Sequence, residues 1–187
     1  EDGAVHISRA QASITYPSRF MLVGAMNPCP CGFNNDPTRE CTCSETEIRR
    51  YLSRLSGPLL DRIDLQINVP RLEYEEMTGQ KDGEPSTLIR QRVEAARQRQ
   101  LRRFKGSNIT CNAAMNTRVL RDSLHLHPAG EQMMQMAFHR LHLSARAYER
   151  ILKVARTIAD LAGNDQVLSQ HVAEALSYRA YDRQGLR

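Results

Sequence analysis

Apolar positions recur with period two near the start of the chain and with the 3.6-residue helical period towards its end. Val5 and Ile7 alternate with polar neighbours, Arg9-Ala10-Gln11 form a plausible tip, and Ser13 to Tyr16 return, which predicts a β-hairpin over residues 4–18 broken at Pro17. Phe20 to Met26 is apolar on both faces, the pattern of a central parallel strand buried between helices, and it ends abruptly at Asn27-Pro28. A loop over 27–43 follows. Ser44 and Glu47 then have capping-box spacing, and Ile48, Tyr51, Leu52 and Leu55 fall on one helix face behind them. Gly57-Pro58 should end that helix and Leu59 to Arg62 form a short turn. Leu65, Ile67 and Val69 alternate with polar residues, predicting a second strand closed by Pro70.

Residues 72–86 are polar, with Gly79, Gly83 and Pro85, and read as a linker. Everything beyond looks helical. Ser86 is placed to cap a helix reaching about Phe104, and Pro128 to open another with Met133, Met136 and Ala137 inward. Ser144 should cap a third, lined by Tyr148, Ile151, Leu152, Ala155, Ile158 and Ala159 and stopped by Gly163. Ser169 should cap a last helix with Val172, Ala175 and Leu176 inward. The expected architecture is a small α/β piece over 1–75, a linker over 76–86 and a helical bundle over 87–187.

Composition is that of an ordinary globular protein: 187 residues, 41% hydrophobic and 25% charged. The longest apolar run, Phe20 to Met26, is far too short to cross a bilayer, and the first residues carry neither a basic nor an apolar signal region. A cytoplasmic protein without a membrane partner is expected. Position 1 is Glu rather than an initiator Met, which reads as a domain excised from a longer chain. Net charge is +5, unevenly distributed: 8 Lys/Arg stand against 10 Asp/Glu in residues 1–75, and 18 against 11 in residues 76–187. A basic second half suits a polyanion partner, or equally a solvated helix face. Arg90, Arg92, Arg97, Arg99, Arg102, Arg103 and Lys105 crowd one predicted helix around a single acid, Glu94, but spread around its circumference. That helix could face DNA, an acidic neighbour or water. Arg9, at the hairpin tip, is the better single candidate for contact with nucleic acid.

Four of the five cysteines lie in the 27–43 loop, as Cys29-x-Cys31 and Cys41-x-Cys43. Without a secretory signal, clustered cysteines point to a metal before disulfides, so structural zinc, free or oxidised thiols and a redox role are the readings. Cys111 reads as a core or partly buried single thiol. His125-x-His127 and His139-x-x-His142 have no carboxylate or cysteine at matching spacing and read as packing or surface residues. In open parallel sheets ligands bind beyond the carboxyl ends of strands, so Asn27 stands where a functional amide would, or caps a turn. Arg62, on the turn before the second predicted strand, offers a rigid fork for phosphate oxygens, or pairs with Asp61 or Asp64.

Arg19 to Pro28, followed by Ser56-Gly-Pro-Leu-Leu-Asp-Arg-Ile-Asp64, resembles the sensor-1 strand and arginine-finger segment of Mg-chelatase-like AAA+ ATPases. The Cys-Pro-Cys-Gly loop and Ser144-Ala-Arg146 narrow the resemblance to the bacterial ComM/YifB-type branch. The implied fold is the C-terminal portion of a P-loop AAA+ core followed by a helical lid. The resemblance implies that Asn27 is sensor 1, Arg62 a finger reaching a neighbouring subunit's γ-phosphate, and Arg146 sensor 2, with Arg150 its alternative. A solvated N-terminal helix residue is the plain reading of Arg146. ATP and Mg²⁺ are the implied cofactors, a homo-oligomeric ring such as a hexamer and DNA the implied partners. The implied activity is an ATP-driven helicase or branch-migration motor in DNA uptake and recombination. Alternatives are the ATPase subunit of a magnesium chelatase and a zinc-stabilised nucleic-acid-binding module. No G-x-x-x-x-G-K-[ST] loop and no apolar strand ending in paired acids occurs in the 187 residues, so this chain alone is expected neither to bind ATP tightly nor to hydrolyse it.

Overall fold

A computed structural model describes residues 3–9, 12–72, 74, 78–79 and 83–179. Strands β1 (Ala4–Arg9) and β2 (Ala12–Pro17) pair antiparallel in the register Val5↔Tyr16 and Ile7↔Ile14, so one face of the hairpin is apolar. The other face carries His6↔Thr15 and Ser8↔Ser13, with His6 Nδ1 2.8 Å from Thr15 Oγ1. Of the predicted tip, Arg9 is instead the last residue of β1, opposite Ala12, and Ala10 and Gln11 lie outside the described residues.

The two strands expected after the hairpin do not form. Residues 20–26 have no regular secondary structure, and Met21 and Val23 are 88% and 83% exposed. A central strand exists only through ladder hydrogen bonds on both edges, and no described segment offers them here. Residues 65–69 fail for the same reason, with a single parallel bridge between Gln66 and Arg179. Here the burial pattern is inverted: polar Gln66 is buried while Leu65 and Ile67 face outwards. Between these segments, α1 (Glu45–Leu52) starts on the expected capping box, with Ser44 N–H donating to Glu47 Oε2 at 2.8 Å and Glu47 N–H to Ser44 Oγ at 3.3 Å. Its predicted face is half-buried. A four-residue α2 (Gly57–Leu60) replaces the expected turn, capped by Ser56.

The helical part is α3 (Ser86–Arg103), a 3₁₀ turn (Asn112–Ala114), α4 (Thr117–Ser123), α5 (Pro128–Arg140), α6 (Ala145–Leu161) and α7 (Ser169–Ser177). The chain is thus mixed α/β, with seven α-helices and one two-stranded sheet among the described residues. The main apolar core runs from Phe104 to Leu176 and centres on α6, where Ile151, Leu152, Ala155 and Ala159 of the predicted stripe are buried, Tyr148 and Ile158 are partly buried, and Ala147 joins them. Fully burying Ile151 or Val172 contributes about 1.5–3 kcal/mol each. Small residues on this stripe let α3, α4 and α7 approach α6 closely. Ser144 caps α6 as expected, accepting from Ala147 N–H at 3.1 Å. Gly163 ends it at φ +78°, where a Cβ would be strained, and Asn164 N–H closes on Ala159 O at 2.8 Å.

Three helix-level expectations are corrected. Ser86 and Ser169 are first helical residues, not caps; Pro85 and Leu168 hold the cap positions. His171 takes over the capping task at α7, its Nδ1 accepting from Leu168 N–H at 3.0 Å. On α5, Met134 turns inward with Ala137, whereas Met136 is 58% exposed. A one-position shift moves a helix side chain by about 100°, and consecutive methionines leave the periodicity unable to choose between them. Helix α4 was not expected; Asn116 caps it, accepting from Val119 N–H at 2.9 Å.

Candidate functional site

The segment after α2 is tied to the N-terminal half of α6. Ser144 Oγ donates to Asp61 Oδ2 at 2.8 Å while capping α6, and Arg150 Nη1 meets Asp64 Oδ1 at 2.5 Å. An aspartate at a helix N-terminus is favoured by the positive end of the helix dipole. Arg146, Arg150 and Lys153 follow one another up the same side of α6 and line a cleft of about 760 Å³, shared with Asp64, Met115, Glu174 and Tyr178. Arg146, in the first turn of the helix, adds a cation to the positive end of its dipole, and the cleft wall sets three carboxylates, Asp64, Glu149 and Glu174, beside the three cations. Arg62 and Asn27 are not among its walls. Arg62 is exposed, and its Nη1 donates to Pro58 O at 2.8 Å, one turn back. Asn27 is exposed at the root of the cysteine loop, 3.9 Å from where a Cβ on Gly32 would sit.

The four loop cysteines converge. Cys29 Sγ is 3.3 Å from Cys31 Sγ and 3.7 Å from Cys41 Sγ, the Cys31–Cys41 separation is 3.5 Å, and all four Sγ atoms, Cys43 included, lie within 4.8 Å of one another. Cys29 is fully buried. Successive turns fold the loop: Gly32, at φ +85°, donates to Cys29 O at 3.0 Å, and Asp36 N–H donates to Phe33 O at 3.1 Å. Asp36 Oδ1 then gathers Thr38 N, Thr38 Oγ1 and Arg39 N, and the Arg39 guanidinium covers the Phe33 ring at 4.0 Å. The crowded thiols titrate apart. The Phe33 backbone holds Cys31 down at about 5; Cys43, pulled down by the Cys31 backbone, is pushed further up by burial and its neighbour thiols, to about 12. Four sulfurs at 2.3 Å from one centre in a tetrahedron lie about 3.8 Å apart, so the cluster has dimensions that a metal ion fits.

The basic residues of α3 divide. Arg99 pairs with Asp165 at 2.9 Å, Arg92 makes a two-pronged pair with Glu84 at 2.7 and 2.9 Å, and Arg97 reaches Gln100 Oε1 at 3.5 Å. Arg103 is drawn into a buried network: both its Nη atoms donate to Asp160, and Nη1 also donates to Asn112 Oδ1 at 3.0 Å. Arg103 is therefore a packing residue rather than a surface cation. Arg9, opposite Ala12, Arg97 and Arg102 are exposed.

Sequence reasoning missed Arg156, Asp160, Asn112, His171 and Arg179, all at most 2% exposed. Arg156 donates to Asp160 and to the carbonyls of Asn164 and Asp165, fixing the chain beyond α6. Arg179 donates to Ile63 O at 2.6 Å, tying the last described residue to the α2 segment. Arg156 and Asp160 carried one signal, charge on the buried side of α6.

The family model described as "Magnesium chelatase, subunit ChlI C-terminal" matches residues 83–179, and "Magnesium chelatase, subunit ChlI" matches residues 1–77. The chain belongs to the Mg-chelatase-like family. Relatives within it include the "Competence protein ComM" of Haemophilus influenzae, 45% identical over 184 residues, and the "Uncharacterized protein YifB" of Salmonella typhimurium, 44% identical over 185. Each alignment covers 98% of this chain and 35% of the relative, so the chain spans about a third of the length of these curated relatives. A protein of Mycobacterium tuberculosis is 40% identical over 179 residues, again 35% of its length. No helix among the described residues is long and apolar enough to cross a membrane.

Proposed function

We propose that the intact protein is an AAA+ ATPase that works as a ring of subunits on DNA, and that this chain supplies its phosphate-sensing residues and helical lid. The observation that carries the reading is the cleft where Arg146, Arg150 and Lys153 meet Asp64. In this reading Arg146 is sensor 2, with Arg150 beside it, and binds the nucleotide phosphates. Arg62 exchanges Pro58 O for the γ-phosphate held by a neighbouring subunit. Asn27 orients the attacking water. The loop that cradles ATP and the acids that hold Mg²⁺ belong to the length that relatives have beyond this chain. The exposed apolar segments 20–26 and 65–69 support that division, because exposed contiguous apolar chain marks a surface that another element covers. The units 1–75, 76–86 and 87–187 are then a partial core, a linker and a lid.

DNA as the substrate is supported by the basic second half and by the relative named a competence protein. Arg9, Arg97, Arg99, Arg102 and Arg103 were the candidate contacts; Arg9, Arg97 and Arg102 have the exposure the task needs. The cysteine cluster is assigned a structural Zn²⁺ held by Cys29, Cys31, Cys41 and Cys43, which would lower all four thiols together. A second reading, the ATPase subunit of a magnesium chelatase, is favoured by the family descriptions.

The test is ATP hydrolysis by the intact protein with and without single-stranded, duplex and branched DNA. DNA stimulation is expected, with Arg62→Ala lowering kcat by roughly 10³-fold or more. Hydrolysis indifferent to every DNA, together with support of magnesium insertion into a porphyrin, would establish the second reading instead.

A further inference from the structure

We propose that Arg179 is a positioning residue for Arg62, an inference that rests on the reading of Arg62 as the finger. Arg179 is 1% exposed, and its guanidinium addresses the residues on both sides of Arg62. Nη1 donates to Ile63 O at 2.6 Å and reaches Leu60 O at 3.5 Å, and Nη2 lies 3.7 Å from Asp61 Oδ1. The neighbouring backbone closes the far side, with Gln66 N–H donating to Tyr178 O at 2.8 Å and Gln66 Nε2 reaching Leu60 O at 3.4 Å. Residues 60, 61, 63 and 66 are thus all registered against Tyr178-Arg179.

Burying a guanidinium is costly unless acceptors satisfy it, and these acceptors are supplied by one conformation of the α2 segment. Slippage of that segment by one residue would leave a buried cation facing the wrong groups, so the burial of Arg179 enforces a single register. Arg62 lies between these contacts, its side chain exposed and its Nη1 donating to Pro58 O. Arg179 therefore sets where Arg62 starts from. Because Arg179 also follows α7, displacement of the helical bundle carries the Arg62 segment with it.

The experiment is a double-mutant cycle on the intact protein, reading kcat and KM for ATP beside thermal melting. Arg179→Ala should lower kcat about 100-fold, the effect of an ~1 Å misplacement remote from the chemistry. KM should change less than about 2-fold, because ground-state binding is untouched. In an Arg62→Ala background, Arg179→Ala should cause no further loss, and Arg179→Lys, which keeps a donor for Ile63 O, should recover part of the single-variant defect. A folded Arg179→Ala with unchanged kcat, or a loss of the same size in the Arg62→Ala background, overturns the positioning role alone. Unchanged kcat in Arg62→Ala by itself overturns the reading of Arg62. Should Arg179→Ala fail to fold, Arg179→Lys and Asp61→Asn carry the same cycle and the same criteria.

Discussion

Arg150 on α6 and Asp64 beyond α2 form an ion pair at 2.5 Å between positions 86 residues apart in sequence. With Asp61 on Ser144, it means that both aspartates flanking Arg62 are turned towards the start of α6. Asp64 is one of three carboxylates, with Glu149 and Glu174, in a cleft wall that also carries Arg146, Arg150 and Lys153. The pair is part-exposed, and such pairs contribute about 0–1 kcal/mol. Asp64→Asn should therefore shift unfolding free energy by less than about 1 kcal/mol, while tightening the binding of tripolyphosphate to this chain. Calorimetric titration at low and high salt reads both the gain and its screening. Equal or weaker affinity in the variant counts against the cleft as an anion site.

Burial separates two aspartates only five positions apart. Asp160 has a fully buried side chain and accepts from Arg103, from Asn112 Nδ2 at 2.8 Å and from Arg156 Nη2 at 3.0 Å. Removing it strands two guanidinium groups, one of them 1% exposed, so Asp160→Ala should cost about 3–5 kcal/mol. Asp165 pairs with Arg99 but is 98% exposed, and Asp165→Ala should stay within about 0.5 kcal/mol. Urea unfolding of the two variants measures the contrast, and comparable losses would contradict the assignment of the network.

What could be read from the sequence follows the range of the interaction. The α6 stripe, the Ser44 and Ser144 caps, the Gly163 stop and the existence of the hairpin are local, written within a few residues, and were legible. Strands at 20–26 and 65–69 were not, because a strand is a relation between segments, and the pattern of one segment cannot report whether its neighbours lie in the same chain. The same holds for the site. The convergence of four cysteines was visible as spacing, and Arg146 and Arg150 share a helix side by simple periodicity. Arg179, whose partners lie around residue 62, has no local signature at all. Arg103 sat in an apparently solvated basic run, and only the packing of α3 on α6 reveals that it points inward.

His171 gives the helical bundle an acid-sensitive step. Burial and the charge of Arg156 push its ring below the ordinary value. Its Nδ1 must also stay unprotonated to accept from Leu168 N–H. The unfolded chain therefore takes up this proton first as pH falls, and stability rises with pH in that range. It is complete above about pH 6.5 and declines below it. Asp160 adds a second step: burial raises its carboxyl, but the Arg103 and Asn112 hydrogen bonds and the Arg156 charge outweigh burial and hold it below the ordinary range. That contribution is present above about pH 4 and lost on further acidification. Melting temperatures between pH 7.5 and 4.5 should fall below pH 6.5 in the parent and stay flatter in His171→Gln. The same slope in both would remove His171 as the cause.

The cysteine cluster and the helical bundle should respond to metal removal separately. Phe104 to Leu176 build the main core without a residue of the 27–43 loop, whose buried apolar member is Cys29. A tetrathiolate site closed on all four sides is structural, and its binding energy is folding energy for the segment that carries the ligands. The purified chain should hold about one equivalent of zinc, lost in Cys29→Ala and Cys41→Ala. Loss of the ion should expose the 27–43 loop to proteolysis, while the melting transition of the bundle moves little. Elemental analysis and limited proteolysis decide it. Intact cysteines in a metal-free protein whose loop resists cleavage would mean that the sulfurs pack together without an ion.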